Sequence, residues 1–188
     1  LLGSFSIFLN KYTGQDDIVI GSPIANRHYQ QTEDLIGFFV NTQVNRILLD
    51  KNQSFEEIIK TIHADQVEAQ ANQDLPFELL VKELGVVRDY SKNPIFQIMF
   101  SVQRFTDDET LNPSKYFKPV ASDDIYEAEQ FDLSIMVDDS QESLLFHVSY
   151  ATSLFKPETI SRMMKQFQEL LKQLVAAPEK PHQTFSLL

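Results

Sequence analysis

Apolar positions along the chain switch between helical and alternating spacings, and the switches predict a series of helices and strands. Leu1–Tyr12 reads as the end of a buried helix, with Gly14 just beyond it as a natural terminator. Ile18–Ile24 is an apolar run broken only by Gly-Ser-Pro, which predicts a strand buried on both faces and ending near Pro23. A polar turn, Asn26-Arg27-His28, and polar residues 30–34 lead to Leu35–Val40 (LIGFFV), where Gly37 permits a turn or a close backbone approach. Thr42–Leu49 reads as a further strand. Ser54-x-x-Glu57 is a capping box, and Phe55, Ile58, Ile59 and Ile62 behind it predict a helix to about Ala71.

The stretch Asn72–Phe100 changes character most sharply. Pro76 suits the first position of a short helix, and Asp74 before it is placed to accept from the free N–H groups of the first turn. Phe77, Leu80, Val81 and Leu84 give that helix one face to bury. A loop ending in Ser91–Pro94 feeds a strand through Ile98, Phe100 and Val102. From Phe105 to Glu129 the chain is acidic and rich in turn residues, an irregular excursion. Phe131, Leu133, Ile135 and Val137, then Leu144, Phe146, Val148 and Tyr150, alternate around a turn at Asp138–Ser143 and predict a hairpin with one buried face. The last helix carries a single stripe of Ile160, Met163, Met164, Phe167, Leu170, Leu171 and Leu174, and is stopped by Pro178 and Pro181. His182–Leu188 reads as the start of a linker or a docking segment. The order implies an α/β sandwich with a mixed β-sheet and helices packed on one side.

Composition narrows the picture. At 188 residues and 43% hydrophobic, with 15 Phe, the chain has the material for a substantial core. A net charge of -11 without a basic cluster argues against a nucleic-acid partner. The absence of Cys removes disulfides and thiolate chemistry and suits a reducing, cytoplasmic compartment. No apolar run reaches the roughly 20 residues of a membrane span. Leu2, Phe5, Ile7, Phe8 and Leu9 begin an apolar face with no helix-start signal, so the chain reads as a cut through a longer protein; a processed N-terminus is the alternative. There is no signal-peptide pattern.

Candidate chemistry is sparse. His28, His63, His147 and His182 lie on separate elements, with no metal-ligand spacing among them. The five glycines are isolated, so no phosphate loop forms, and Ser22 lacks a nucleophile elbow. The acid pairs at Asp16-Asp17, Asp107-Asp108, Asp123-Asp124 and Asp138-Asp139 sit where Asp favours turns. What remains is a set of amides beside apolar residues: Asn41-Thr42 after Phe38–Val40, Asn72-Gln73 before Pro76, and Asn93 before Pro94. They fit either turn chemistry or the wall of a channel for a polar substrate.

Five segments, in order, resemble the C-terminal half of nonribosomal peptide synthetase condensation domains: Tyr12–Arg27 (YTGQDDIVIGSPIANR), Ile36–Thr42 (IGFFVNT), Asn72–Glu78 (NQDLPFE), Arg88–Gln97 (RDYSKNPIFQ), and Phe131-Asp132-Leu133 with Tyr150-x-x-x-Leu154-Phe155. Lys92 stands where the family usually shows Arg. The resemblance implies one lobe of a chloramphenicol-acetyltransferase-like fold, spanning residues 1–181, with the N-terminal lobe missing and residues 182–188 beginning a linker. Such a domain joins a carrier-bound donor thioester to an acceptor amine in a tunnel between two lobes. The implied partners are the N-terminal lobe, donor and acceptor peptidyl carrier proteins bearing phosphopantetheine, and an adjacent adenylation domain.

The family's His-His-x-x-x-Asp-Gly is absent, so no catalytic residue, metal or directly bound cofactor is expected, and the chain alone should be inactive. A non-catalytic carrier-binding module is the alternative. The implied tunnel-side residues are Ser22, Asn26, Arg27, Asn41, Thr42 and Asn93, the amides having turn or strand-end hydrogen bonding as their other role. Arg27 and Arg88 are expected to pair with nearby acids. Gly37, Asp74, Pro76, Phe77, Arg88, Asp89, Pro94 and Phe96 are the motif's structural residues. Phe105–Ala121 is the candidate for a segment crossing to the other lobe.

Overall fold

The computed structural model describes residues 1–87, 89, 92–104 and 129–187. Helix α1 (Leu2–Thr13) ends where Gly14 takes φ 71° and its N–H donates to Asn10 O at 2.7 Å. Strand β1 (Asp17–Ile24) follows, then a one-turn helix α2 (Gln30–Glu33) and strand β2 (Asn41–Leu48). Helix α3 (Phe55–Ala71) starts on the predicted capping box: Ser54 N–H donates to Glu57 Oε2 at 2.8 Å, and Glu57 N–H donates to Ser54 Oγ at 3.2 Å. Helix α4 (Phe77–Glu83), strands β3 (Ile98–Gln103), β4 (Leu133–Asp138) and β5 (Leu145–Tyr150), and helix α5 (Pro157–Ala176) follow, and a one-turn 3-10 helix (His182–Thr184) ends the order. The excursion at 105–121 lies outside the described residues.

The sheet order is β2-β1-β3-β4-β5. β1 pairs antiparallel with β2 from Asp17↔Leu48 to Ile24↔Asn41, and β4 with β5 from Leu133↔Tyr150 to Asp138↔Leu145. The inner pairings are parallel, so the sheet is mixed as the element order implied. The ladder between β1 and β3 consists of one position, Gly21↔Met99.

Alternation along the strands puts Ile18, Ile20, Ile47, Phe100, Leu133, Ile135 and Val137 beneath α1, α3 and α5. Phe5 is the hub of that core. Its ring stacks on Phe100 at 5.0 Å and meets Phe167 edge-on at 5.6 Å, arrangements that add to the area buried. The α5 stripe is core: Ile160, Met163, Phe167, Leu170 and Leu174 are buried.

Three expectations are corrected. β1 is not buried on both faces: Val19 is half-buried and Asp17 exposed, because the core under α1, α3 and α5 lies on one face only. The other face is covered at Gly21 by Phe96, whose ring would lie 2.2 Å from an added Cβ. Nor does α4 bury its apolar face: Phe77, Leu80 and Val81 are half-buried and Leu84 is exposed. Third, Pro76 is the N-cap of α4 rather than its first residue.

The tail folds back onto the body. Glu56 N–H donates to Pro178 O at 3.0 Å, His182 N–H to Gln53 O at 2.9 Å, and Gln173 makes paired bonds with the Ser186 backbone. Phe185 and Leu187 pack against the core. The His182 side chain is fully buried, with Nε2 2.9 Å from Asp50 O and Nδ1 without a partner among the described residues. Burial pushes its pKa below the ordinary histidine value.

Candidate functional site

The residues singled out in sequence gather mainly at one end of the sheet, where β1 leaves and β2 enters. Asn26 adopts φ 51°, a left-handed conformation that asparagine tolerates better than most residues, and turns the chain out of β1. Its Oδ1 is buried and has no hydrogen-bond partner among the described residues. Arg27 does not pair with an acid. Its guanidinium donates to the carbonyls of Thr32, Leu35 (2.8 Å) and Gly37 (3.1 Å) and lies 4.2 Å from the Phe39 ring centroid. The expectation of an ion pair is replaced by a clamp on three backbone oxygens, which a planar fork of five donors can serve at once. With those carbonyls fixed, Ile36 is 105% and Phe38 90% exposed, flanked by exposed Leu35 and Val40.

Asn41 organises the neighbouring corner. Its Nδ2 donates to Gln73 O (3.0 Å) and Leu75 O (2.8 Å), while Oδ1 accepts from Phe77 N–H at 3.2 Å and Thr42 N–H at 2.8 Å. It therefore does the capping expected of Asp74. The Asp74 carboxylate instead stands 3.5 Å from His28 Nε2 and 3.5 Å from Tyr29 Oη. Phe77 meets the Phe96 ring at 5.5 Å, and Phe96 stacks on Phe131 at 5.5 Å.

Ser22 sits apart, inside a polar network. Its hydroxyl donates to Phe100 O at 2.7 Å and accepts from Asn45 Nδ2 at 2.9 Å. Asn45 Oδ1 accepts from Gln43 (2.8 Å) and Gln66 (2.5 Å), so β1, β2, β3 and α3 are tied through satisfied amides. Asn93 is at the opposite end of β3, donating to Gln130 O, with its own carbonyl accepting from Gln97 Nε2 at 3.0 Å. Asp89 lies 3.6 Å from Lys92 Nζ. Arg88 lies outside the described residues.

Pro94-Ile95-Phe96 forms a three-residue turn. Ile95 takes φ 70° and Phe96 N–H returns to Pro94 O at 2.8 Å. A β-branched residue in that region is strained, and strain of this kind is held in place by its surroundings. Here the holding contacts are Phe96 over Gly21 and against Phe77 and Phe131.

The arrangement can bind and shape. No group of three or more His, Cys, Asp or Glu side chains that could hold a metal occurs among the described residues. His63 and His147 are exposed. No described helix is long and apolar enough to cross a membrane. Sequence reasoning missed the Arg27 clamp, the Asn41 cap and the buried His182. Only the last left a signal, in Phe185 and Leu187 following Pro181-His182.

Against known proteins, the model of the condensation domain family matches residues 1–188. The chain belongs to the condensation domain family. It is 36% identical over its full length to surfactin synthase subunit 1 of Bacillus subtilis (strain 168), and 36% identical over 184 residues, 95% of its length, to gramicidin S synthase 2 of Aneurinibacillus migulanus. It spans 5% and 4% of those proteins. Among solved structures, a four-domain nonribosomal peptide synthetase bound to AMP and glycine superposes with TM-score 0.84 at 21% identity, over 99% of this chain and 15% of that one. The X-domain from teicoplanin biosynthesis gives 0.82 at 20% identity, over 100% of this chain and 43% of that one. The first condensation domain of the CDA synthetase gives 0.74 at 20%, over 100% and 41%. A chloramphenicol-acetyltransferase-like α/β fold with a mixed five-stranded sheet is thus the fold of this condensation-domain chain.

Proposed function

We propose that the chain is the C-terminal half of an amide-forming condensation domain in a cytoplasmic nonribosomal peptide synthetase. The observation that carries this is the match of the whole chain to a family whose solved members extend well beyond it, together with the uncovered apolar loop Leu35–Val40 beside the motif residues Asn26, Arg27, Asn41 and Phe77. In this reading the loop and the α4 corner face the N-terminal half, which supplies the His-His-x-x-x-Asp-Gly. Residues 182–188 begin the path toward an adenylation domain.

The reaction joins two carrier-bound substrates, each on a phosphopantetheine thioester. The acceptor amine attacks the donor carbonyl, a C–N bond forms, the C–S bond breaks, and the donor thiol leaves with a proton. This half contributes tunnel wall and docking surface rather than a proton-transfer group. Asn26 Oδ1, buried and unpaired among the described residues, is the best-placed acceptor for a substrate or partner-lobe N–H.

The test is amide formation with loaded donor and acceptor carriers. The chain alone is expected to give none above background, and addition of the N-terminal half is expected to restore it. Turnover by the chain alone would overturn the assignment of catalysis to the other half.

A second reading is a non-catalytic interaction module: the X-domain solved in complex with OxyB shares this fold at TM-score 0.83, beside 0.84 for the four-domain nonribosomal peptide synthetase. Binding of carrier proteins without turnover in the reconstituted pair would select it.

A further inference from the structure

We propose that a cavity between the N-terminal ends of β1, β3 and β4 binds a small molecule with an apolar body and one ammonium group. The cavity is about 500 Å³, within the range of sites that take such molecules, and Leu9, Ile18, Ile98, Leu133 and Met163 form its apolar wall. None of the tunnel-side candidates lines it. At roughly 3.3 Å per residue, the length of β1 separates it from the Asn26–Arg27 corner by about 25 Å.

Three independent features converge there. The sheet is open at this point, because β1 and β3 are laddered only at Gly21↔Met99 and their N-terminal ends are not bridged. The strained turn centred on Ile95 borders the same space, so the conformational cost at φ 70° is incurred where the opening is made. The third feature is chemical. Asp132 lines the cavity; its backbone is bonded to Gln97 and Ala151, and its carboxylate has no hydrogen-bond or ion-pair partner among the described residues. The other carboxylate at the rim, Asp17, is already held by Arg46, with Nη2 2.9 Å from Oδ2. Tyr12, Thr13, Gln15, Gln97 and Thr159 add uncharged polar groups to a wall that is apolar in the main, and a half-buried carboxylate without a partner among the described residues in such a wall favours a cation that brings its own hydrocarbon.

The inference does not rest on the proposed function, and failure of the amide-forming assay leaves it standing. Calorimetric titration of the protein with octylammonium, octanoate and 1-octanol separates charge from bulk. Octylammonium is expected to bind about tenfold or more tighter than octanoate. Asp132→Asn is expected to erase that preference while leaving 1-octanol binding unchanged, and Met163→Trp to abolish binding of all three by filling the space. Equal binding of octylammonium and octanoate to the unaltered protein, no binding by any probe, or a preference that survives Asp132→Asn would each overturn the proposal. If Asp132→Asn does not fold, the ranking on the unaltered protein still decides.

Discussion

The helix-covered face of the sheet and the loop at residues 25–40 are built from the same kinds of residue and end in opposite environments. Phe5, Phe8, Phe100 and Phe167 are all at 2% exposure or less, whereas Phe38 is at 90% and Ile36 at 105%. The difference lies in what holds the backbone. The core phenylalanines sit on regular elements whose spacing turns them toward one another. In the loop, a single guanidinium gathers three carbonyls and leaves neighbouring side chains nothing among the described residues to cover them. Hydrophobicity alone therefore does not predict burial within the chain; the element that carries the residue decides it.

The sharpest way to break this comparison is to truncate one ring on each side. Phe167→Ala should cost about 3–5 kcal/mol in chemical denaturation, since it empties a fully packed position. Phe38→Ser should move the same midpoint by no more than about 0.5 kcal/mol, yet, under the proposed function, weaken association with an N-terminal half. Gly21→Ala comes next, at about 1–3 kcal/mol, because the new methyl group would meet the Phe96 ring. Asn41→Ala should cost about 1–2 kcal/mol by freeing the Phe77 N–H and two corner carbonyls, with increased amide exchange confined to residues 73–80.

The smallest effect expected is on pH dependence. Because the folded-state pKa of His182 is lowered, its neutral form's full contribution is present above about pH 6.5 and is lost as pH falls below that value toward the folded pKa. His182→Leu should be less stable at neutral pH and show a flatter stability profile between about pH 7 and 5.

Much of the fold was legible. The Ser54–Glu57 box and the α5 stripe are local patterns with period and cap in the same few residues, and both appear where expected. The hairpin was equally plain, since alternation and turn are adjacent in the chain. The site was less so. Ser22, Asn41 and Asn93 stood out as amides or hydroxyls beside apolar runs, but their partners are Phe100, Leu75 and Gln130, residues that only the tertiary fold brings near. His182 was read in a segment that either starts a linker or docks, and the choice was not legible because its acceptor, Asp50, lies 132 positions earlier. The capping role assigned to Asp74 went to Asn41, which lies 36 positions before the Phe77 N–H it accepts from and is outside the local sequence of α4.

The placement of β1 also bears on the order in which the molecule assembles. Its antiparallel neighbour β2 is close in sequence and can join it early, but its parallel neighbour β3 lies some 78 positions downstream, the separation spanned by the Ser22–Phe100 bond. Closing so long a loop for a ladder of one residue pair is slow, so the two halves of the sheet should form as separate units and meet last. Phe96 would then settle over Gly21 only at that final docking, which makes this contact a natural probe of the rate-limiting step.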